Sequence, residues 1–250
     1  MRLITPVGWS RERRRPVLYL LHGCCDTYDS WTRETGVEAL PQLRDVLVVT
    51  PEAGDVGFYG DWVRGPAWET FHLTELRELL ERDYGAGESR AVAGLSMGGL
   101  GAMGYAARHP GLFRAAASFS GTLHPLASPR FYLGLFGQHT DDPLAIWGDP
   151  DTQRDVWMRH DPTELAGELR GTPLFVSAGD GRPGPYEEPG ARSDPLERAV
   201  GTESRAFVAR LRRLGIPVRA DFYGPGIHDW PYWERELERA LPLLRRALGR

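Results

Sequence analysis

The feature of this chain that most narrows its fold is a repeated change of hydrophobic rhythm. Short runs such as Pro16–Leu21 (PVLYLL), Val46–Val49 (VLVV), Ala91–Ala93 and Pro173–Val176 (PLFV) are apolar throughout. A strand covered on both faces reads this way, whereas a half-exposed strand alternates. Arg2–Pro6, Arg114–Ser118 and Val218–Phe222 read as further strands. Between these runs the period changes. Phe71, Leu73, Leu76, Leu79 and Leu80 recur at helical spacing within Trp68–Tyr84, and Met97–Arg108, Glu203–Leu214 and Trp230–Leu248 also read as helices. Strands alternating with helices imply parallel crossovers in an α/β protein, a mostly parallel, doubly wound sheet with helices on both faces. At 250 residues, without repeats or a dividing linker, the chain is expected to form a single domain over residues 1–250. Residues 121–170 break the alternation, and their apolar cluster Phe131, Tyr132, Leu133, Leu135 and Phe136 suggests a partial helical cap there.

Composition removes several chemistries. All 30 basic residues are arginine, and the chain has neither lysine nor asparagine. A Schiff base, a Ser–Lys dyad, a phosphate-loop lysine and a Cys-His-Asn site are therefore unavailable. A net charge of −4 gives no reason to expect a nucleic-acid partner. No apolar run is long enough for stable membrane insertion. The first 20 residues carry charges from Arg11 to Arg15 where a signal peptide has its apolar centre, so the chain as given is expected to be cytoplasmic, or secreted if a leader precedes it. The two cysteines are the neighbours Cys24 and Cys25. Adjacent cysteines are poorly placed for a bridge, so two thiols are expected. Two thiols with His22 fall short of a four-ligand zinc site, and no metal or other cofactor is expected.

Gly94-Leu95-Ser96-Met97-Gly98 matches G-x-S-x-G between a strand-like lead-in and an amphipathic helix. The glycines let a sharp turn lift the serine hydroxyl above the sheet, which makes Ser96 the candidate nucleophile. An acyl-transfer oxyanion needs two backbone donors. They are assigned to Met97, directly after the serine, and to Cys24 in the loop after Tyr19-Leu20-Leu21. The order serine, acid, histidine along the chain points to His228, which follows the final strand through Tyr223-Gly224-Pro225-Gly226-Ile227. For the acid, the residues alone favour Asp180, directly after PLFVSAG, over Glu197 further on, with Glu187, Glu188 and Asp194 also nearby.

With these residues in place, the chain resembles the antigen 85 mycolyltransferases and the broader esterase D-like family of α/β-hydrolases over roughly residues 16 to 247. The resemblance rests on YLLHG with Trp31 following, FYGDW (58–62), WETF (68–71), GLSMGG, AARHPGLF (106–113), FSG (119–121) and GIHDWPYW (226–233). It implies an α/β-hydrolase fold and a Ser-Glu-His triad. The family's glutamate lies in a Leu-Glu pair matched by Leu196-Glu197, which moves the preference from Asp180 to Glu197. Two departures, His22 where trehalose-binding relatives carry aspartate and Cys25 where they carry arginine, weaken trehalose as an acceptor. The expected substrate is a small-molecule or glycolipid-like ester, with His22, Tyr59, Trp62 and Trp230 as candidate pocket residues. The expected activity is ester hydrolysis. Acyl transfer to a sugar or other alcohol uses the same residues and is the alternative, and a non-catalytic binding protein is the reading from another class.

Overall fold

The structure, a computed structural model, describes residues 1–249. Seven strands form one sheet: β1 (Arg2–Ile4), β2 (Arg15–Leu21), β3 (Leu47–Thr50), β4 (Ala86–Leu95), β5 (Ala116–Phe119), β6 (Leu174–Gly179) and β7 (Arg219–Gly224). Their spatial order is β1-β3-β2-β4-β5-β6-β7, with β1 antiparallel at the edge and every other pair parallel. Around them lie α1 (Ser30–Glu34), α2 (Trp68–Thr70), α3 (Arg77–Asp83), α4 (Met97–Arg108), α5 (Pro129–Phe136), α6 (Leu144–Trp147), α7 (Arg154–His160), α8 (Pro195–Arg213) and α9 (Trp230–Ala247). Helices α2 and α3 are joined end to end by a π-helical stretch, Phe71–Leu76. Among the described residues, no helix is long and apolar enough to cross a membrane.

The apolar runs are continuous because both faces of each strand are covered. Successive side chains of a strand point to opposite faces. In β2, Val17, Tyr19 and Leu21 enter one core while Leu18 and Leu20 enter the other. Strand β6 divides likewise, Leu174 and Val176 against Phe175. Helix α4 (Met97, Leu100, Met103) and helix α8 (Phe207, Val208, Leu211) close the first face. Trp31 of α1 and Trp233, Leu237, Leu241 and Leu244 of α9 close the second. Every side chain of β2 is buried. At roughly 25 cal/mol per Å² of apolar surface, such central strands supply much of the drive to fold.

The segment at 121–170 divides its work. Tyr132, Phe136, Trp147 and Trp157 are buried and meet Phe58 or one another edge-on at centroid distances of 5.1–6.0 Å. Phe131, half-exposed, and Leu135 instead overhang the cavity described next. Within the segment α5 alone reaches over the cavity, while its Tyr132 and Phe136, with Leu123, Ile146, Trp147 and Trp157, are packed into the first core.

Candidate active site

Ser96 is the single residue between the end of β4 at Leu95 and the start of α4 at Met97. Its backbone has φ 52° and ψ −119°, a conformation sparsely populated by L-residues with a side chain. A hydrogen bond from its N–H to the Phe119 carbonyl, 2.9 Å, holds it there. The flanking glycines are steric requirements: a Cβ on Gly94 would collide with the Gly98 carbonyl, and one on Gly98 with the carbonyls of Leu21 and His22. Met97, as the first helical residue, has no intrahelical acceptor for its N–H. The helix dipole adds positive potential at the same point.

The opposite wall is the loop after β2. There the Cys25 N–H is committed to the Asp55 carbonyl at 2.9 Å, whereas the Cys24 N–H has no acceptor among the described residues. The loop is braced from behind. His22 is buried, with Nδ1 2.8 Å from the Gly23 carbonyl and Nε2 accepting the Ala53 N–H at 3.1 Å. The fully buried Tyr59 donates its hydroxyl to the His22 carbonyl at 3.0 Å. Trp62 donates its indole N–H to the Gly57 carbonyl at 3.3 Å. None of these three side chains lines the cavity beside Ser96, so they support the site from the wall rather than face a ligand; sequence shows that they are near but not which way they point. Trp230 does line it and meets Trp31 and Trp233 edge-on.

Cys24 and Cys25 are joined by a disulfide, contrary to the two thiols expected from the sequence. In extended chain neighbouring Cβ atoms point to opposite sides. Here Cys25 adopts φ 65° within a turn, which brings the two sulfurs to the same side.

His228 sits in the loop between β7 and α9. Its Nδ1 lies 2.7 Å from Oε2 of Glu197, and its ring rests edge-on against Trp233 at 4.9 Å. Glu197 has no exposed side-chain surface, yet its carboxylate is fully engaged: Oε1 accepts the Ser120 hydroxyl at 2.9 Å, the Gly179 N–H at 2.6 Å and the Tyr223 hydroxyl at 3.5 Å. A buried carboxylate stays tolerable when its lone pairs are filled in this way. Asp180 is turned elsewhere, held by Arg182 at 2.6 and 2.9 Å, and that guanidinium lowers its carboxyl below the usual range. The imidazole therefore faces Glu197 and not Asp180.

Asp194 was one of several acidic residues in the sequence and turns out to organise two of the site's parts. As N-cap of α8 it accepts the N–H groups of Leu196 and Glu197 through Oδ1, while Oδ2 accepts the His228 N–H at 2.8 Å. Its signal was readable in part, since Asp-Pro is a common cap followed by a first-turn proline. Ser120, at φ 47°, was legible only as the middle residue of the FSG match, with no role attached.

Ser96, Met97, Cys24 and His228 all line one cavity of about 350 Å³, whose remaining walls are largely apolar: Phe58, Leu95, Phe131, Leu135, Leu196, Trp230 and Trp233. Among the described residues no hydrogen bond joins the Ser96 hydroxyl to the imidazole; such bonds are often long before a substrate tightens the site.

Comparison with known proteins agrees with this architecture. An esterase family profile matches residues 1–244. The diacylglycerol acyltransferase/mycolyltransferase Ag85B of Mycolicibacterium smegmatis is 32% identical over 260 residues, covering 93% of this chain and 77% of that protein. Esterase Rv1288 of Mycobacterium tuberculosis is 33% identical over 222 residues, 82% of this chain and 47% of the longer protein. Among solved structures, Mycobacterium tuberculosis MPT51 superposes with a TM-score of 0.77 at 28% identity, covering 94% of this chain and 90% of that one.

Proposed function

The chain belongs to the esterase family, whose reach here is ester hydrolysis or acyl transfer, and we propose that it is a serine carboxylesterase working through Ser96, His228 and Glu197. In this reading His228 takes the Ser96 proton through Nε2 as the hydroxyl attacks the ester carbonyl. Glu197 holds Nδ1 protonated and stabilises the imidazolium that results. The N–H groups of Met97 and Cys24 receive the developing oxyanion. The leaving alcohol takes its proton from the imidazolium, and water then releases the acyl group from Ser96 by the same steps in reverse. The observation that carries the reading is the 2.7 Å contact between the His228 and Glu197 side chains, with His228 lining the same cavity as a serine on a strained strand-to-helix turn. The apolar walls favour an ester with an apolar acyl group.

Hydrolysis of a p-nitrophenyl ester series of increasing chain length tests this directly. Ser96→Ala should lose at least about 10³-fold in kcat, since only the oxyanion donors and binding remain. A fluorophosphonate should label Ser96 and nothing else. Undiminished turnover in Ser96→Ala would overturn the proposal. Acyl transfer is the second reading, favoured by the likeness to Ag85B. It predicts ester transfer to an added sugar or alcohol in water, visible in the products.

A further inference from the structure

We propose that Cys24 and Cys25, once reduced, join His139 in a three-donor site for a thiophilic divalent cation beside the active-site cavity, and that filling it blocks ester hydrolysis. The inhibitory half rests on the function proposed above; the binding half stands on geometry alone. The sequence sets His22 beside the two cysteines, but its ring nitrogens are engaged with the Gly23 carbonyl and the Ala53 N–H. The fold brings a third donor from 114 residues away: Nε2 of His139 lies 3.2 Å from Sγ of Cys25. The sulfur and imidazole donor atoms of the three residues all lie within 4.8 Å of one another. Two ligands of a tetrahedral zinc ion, one sulfur and one nitrogen, stand about 3.5 Å apart, so this pair needs little adjustment, while the two sulfurs, freed from their bond, must part to about 3.8 Å.

Two further features suit a metal. The other ring nitrogen of His139 faces a carboxylate, Asp55 Oδ2, at 3.3 Å. A carboxylate behind an imidazole fixes its orientation and raises its basicity as a ligand. Asp55 also accepts the Cys25 N–H through its carbonyl, which ties the cysteine loop to the same residue. Both cysteines line the cavity beside Ser96, so an ion bound there adjoins that cavity and, with three protein ligands, keeps a fourth position open.

The site opens by reduction. Two equivalents of a small thiol suffice: the Cys24–Cys25 bond breaks, each sulfur gains one electron and one proton, and the reductant leaves as its own disulfide. Binding then releases the two thiol protons. Reduction and occupation are thus linked, and the oxidised protein has no such site.

The test titrates zinc ion into the full chain after reduction with a phosphine and desalting, with a chromophoric chelator as competitor. Expected are one tightly bound zinc per reduced chain, none in the reoxidised protein or in Cys25→Ser, and at least tenfold weaker binding in His139→Ala, whose side chain lies outside both cores. Ester hydrolysis by the reduced protein should fall at least tenfold with one equivalent of zinc, recover with excess chelator, and resist the same dose in Cys25→Ser. Failure of the reduced chain to bind zinc, or equal binding by the oxidised chain, would overturn the proposal. If zinc binds as stated but the protein hydrolyses no ester, the proposed function falls and the metal site stands.

Discussion

At the scale of single residues, burial and partner geometry separate groups that the sequence leaves equivalent. Asp180 and Glu197 both follow β6, yet one is locked to Arg182 near the surface and the other is enclosed against His228. Glu197→Gln is expected to lower kcat by about 10³–10⁴-fold, because the amide would favour the wrong imidazole tautomer. Asp180→Ala should stay within about twofold, its ion pair being exposed. Steady-state kinetics of the two variants on one p-nitrophenyl ester decides between them, and a larger loss in Asp180→Ala would reverse the assignment.

At the scale of elements, α8 is the piece on which the site depends most. It begins at Pro195, eight residues before the helix expected from the periodicity, because Glu197 and Gly201 on its buried face interrupt the apolar pattern. The buried charge and the glycine are there for the site and for close packing, not for the helix, which is why the pattern concealed them. The same applies to the π-helical stretch between α2 and α3, for which hydrophobic spacing has no distinct signature. Strands β2, β3 and β6 and helix α4, by contrast, were plain in the sequence, since burial on both sides of the sheet or regular packing against it dictates their composition. Asp194→Ala should cost about 0.5–2 kcal/mol as a lost cap, seen in chemical denaturation. It should also lower kcat, because the His228 N–H loses its acceptor; a stability loss with unchanged kcat would restrict Asp194 to capping. Helix α8 further carries Glu203, whose carboxyl burial raises to about 7, with the Tyr132 hydroxyl and the His124 N–H donating to it. The folded state therefore keeps a proton that the unfolded chain releases near its ordinary value of 4.5. This contribution is complete below about pH 4.5 and is lost as the pH rises through about 7. Glu203→Gln stays neutral, so its stability relative to the parent should increase by on the order of 1–3 kcal/mol from about pH 5 to about pH 8. Unfolding curves at several pH values check this, and a constant difference would contradict it.

Across the whole molecule, strain and packing are distributed unevenly. The non-glycine residues with positive φ among those described are Cys25, Phe58, Tyr59, Ser96 and Ser120, and all lie in or directly behind the site. Backbone conformations of this kind cost about 1–3 kcal/mol each and persist only where the surroundings over-determine them. The two cores flanking the sheet supply that constraint. Phe207→Ala, in the first core, should therefore destabilise the chain by about 3–5 kcal/mol, whereas Phe131→Ala at the half-exposed cavity rim should stay within about 0.5 kcal/mol while raising KM for long-chain esters. Thermal melts paired with the ester series separate the two effects. The loop bearing His228 also sets a timetable. Because it follows the last strand of the sheet, a nascent polypeptide carries the proposed hydroxyl nucleophile long before the ribosome has added its proton acceptor. Until the residues after β7 have been made, the nascent chain thus holds the serine without the imidazole that the proposed chemistry requires.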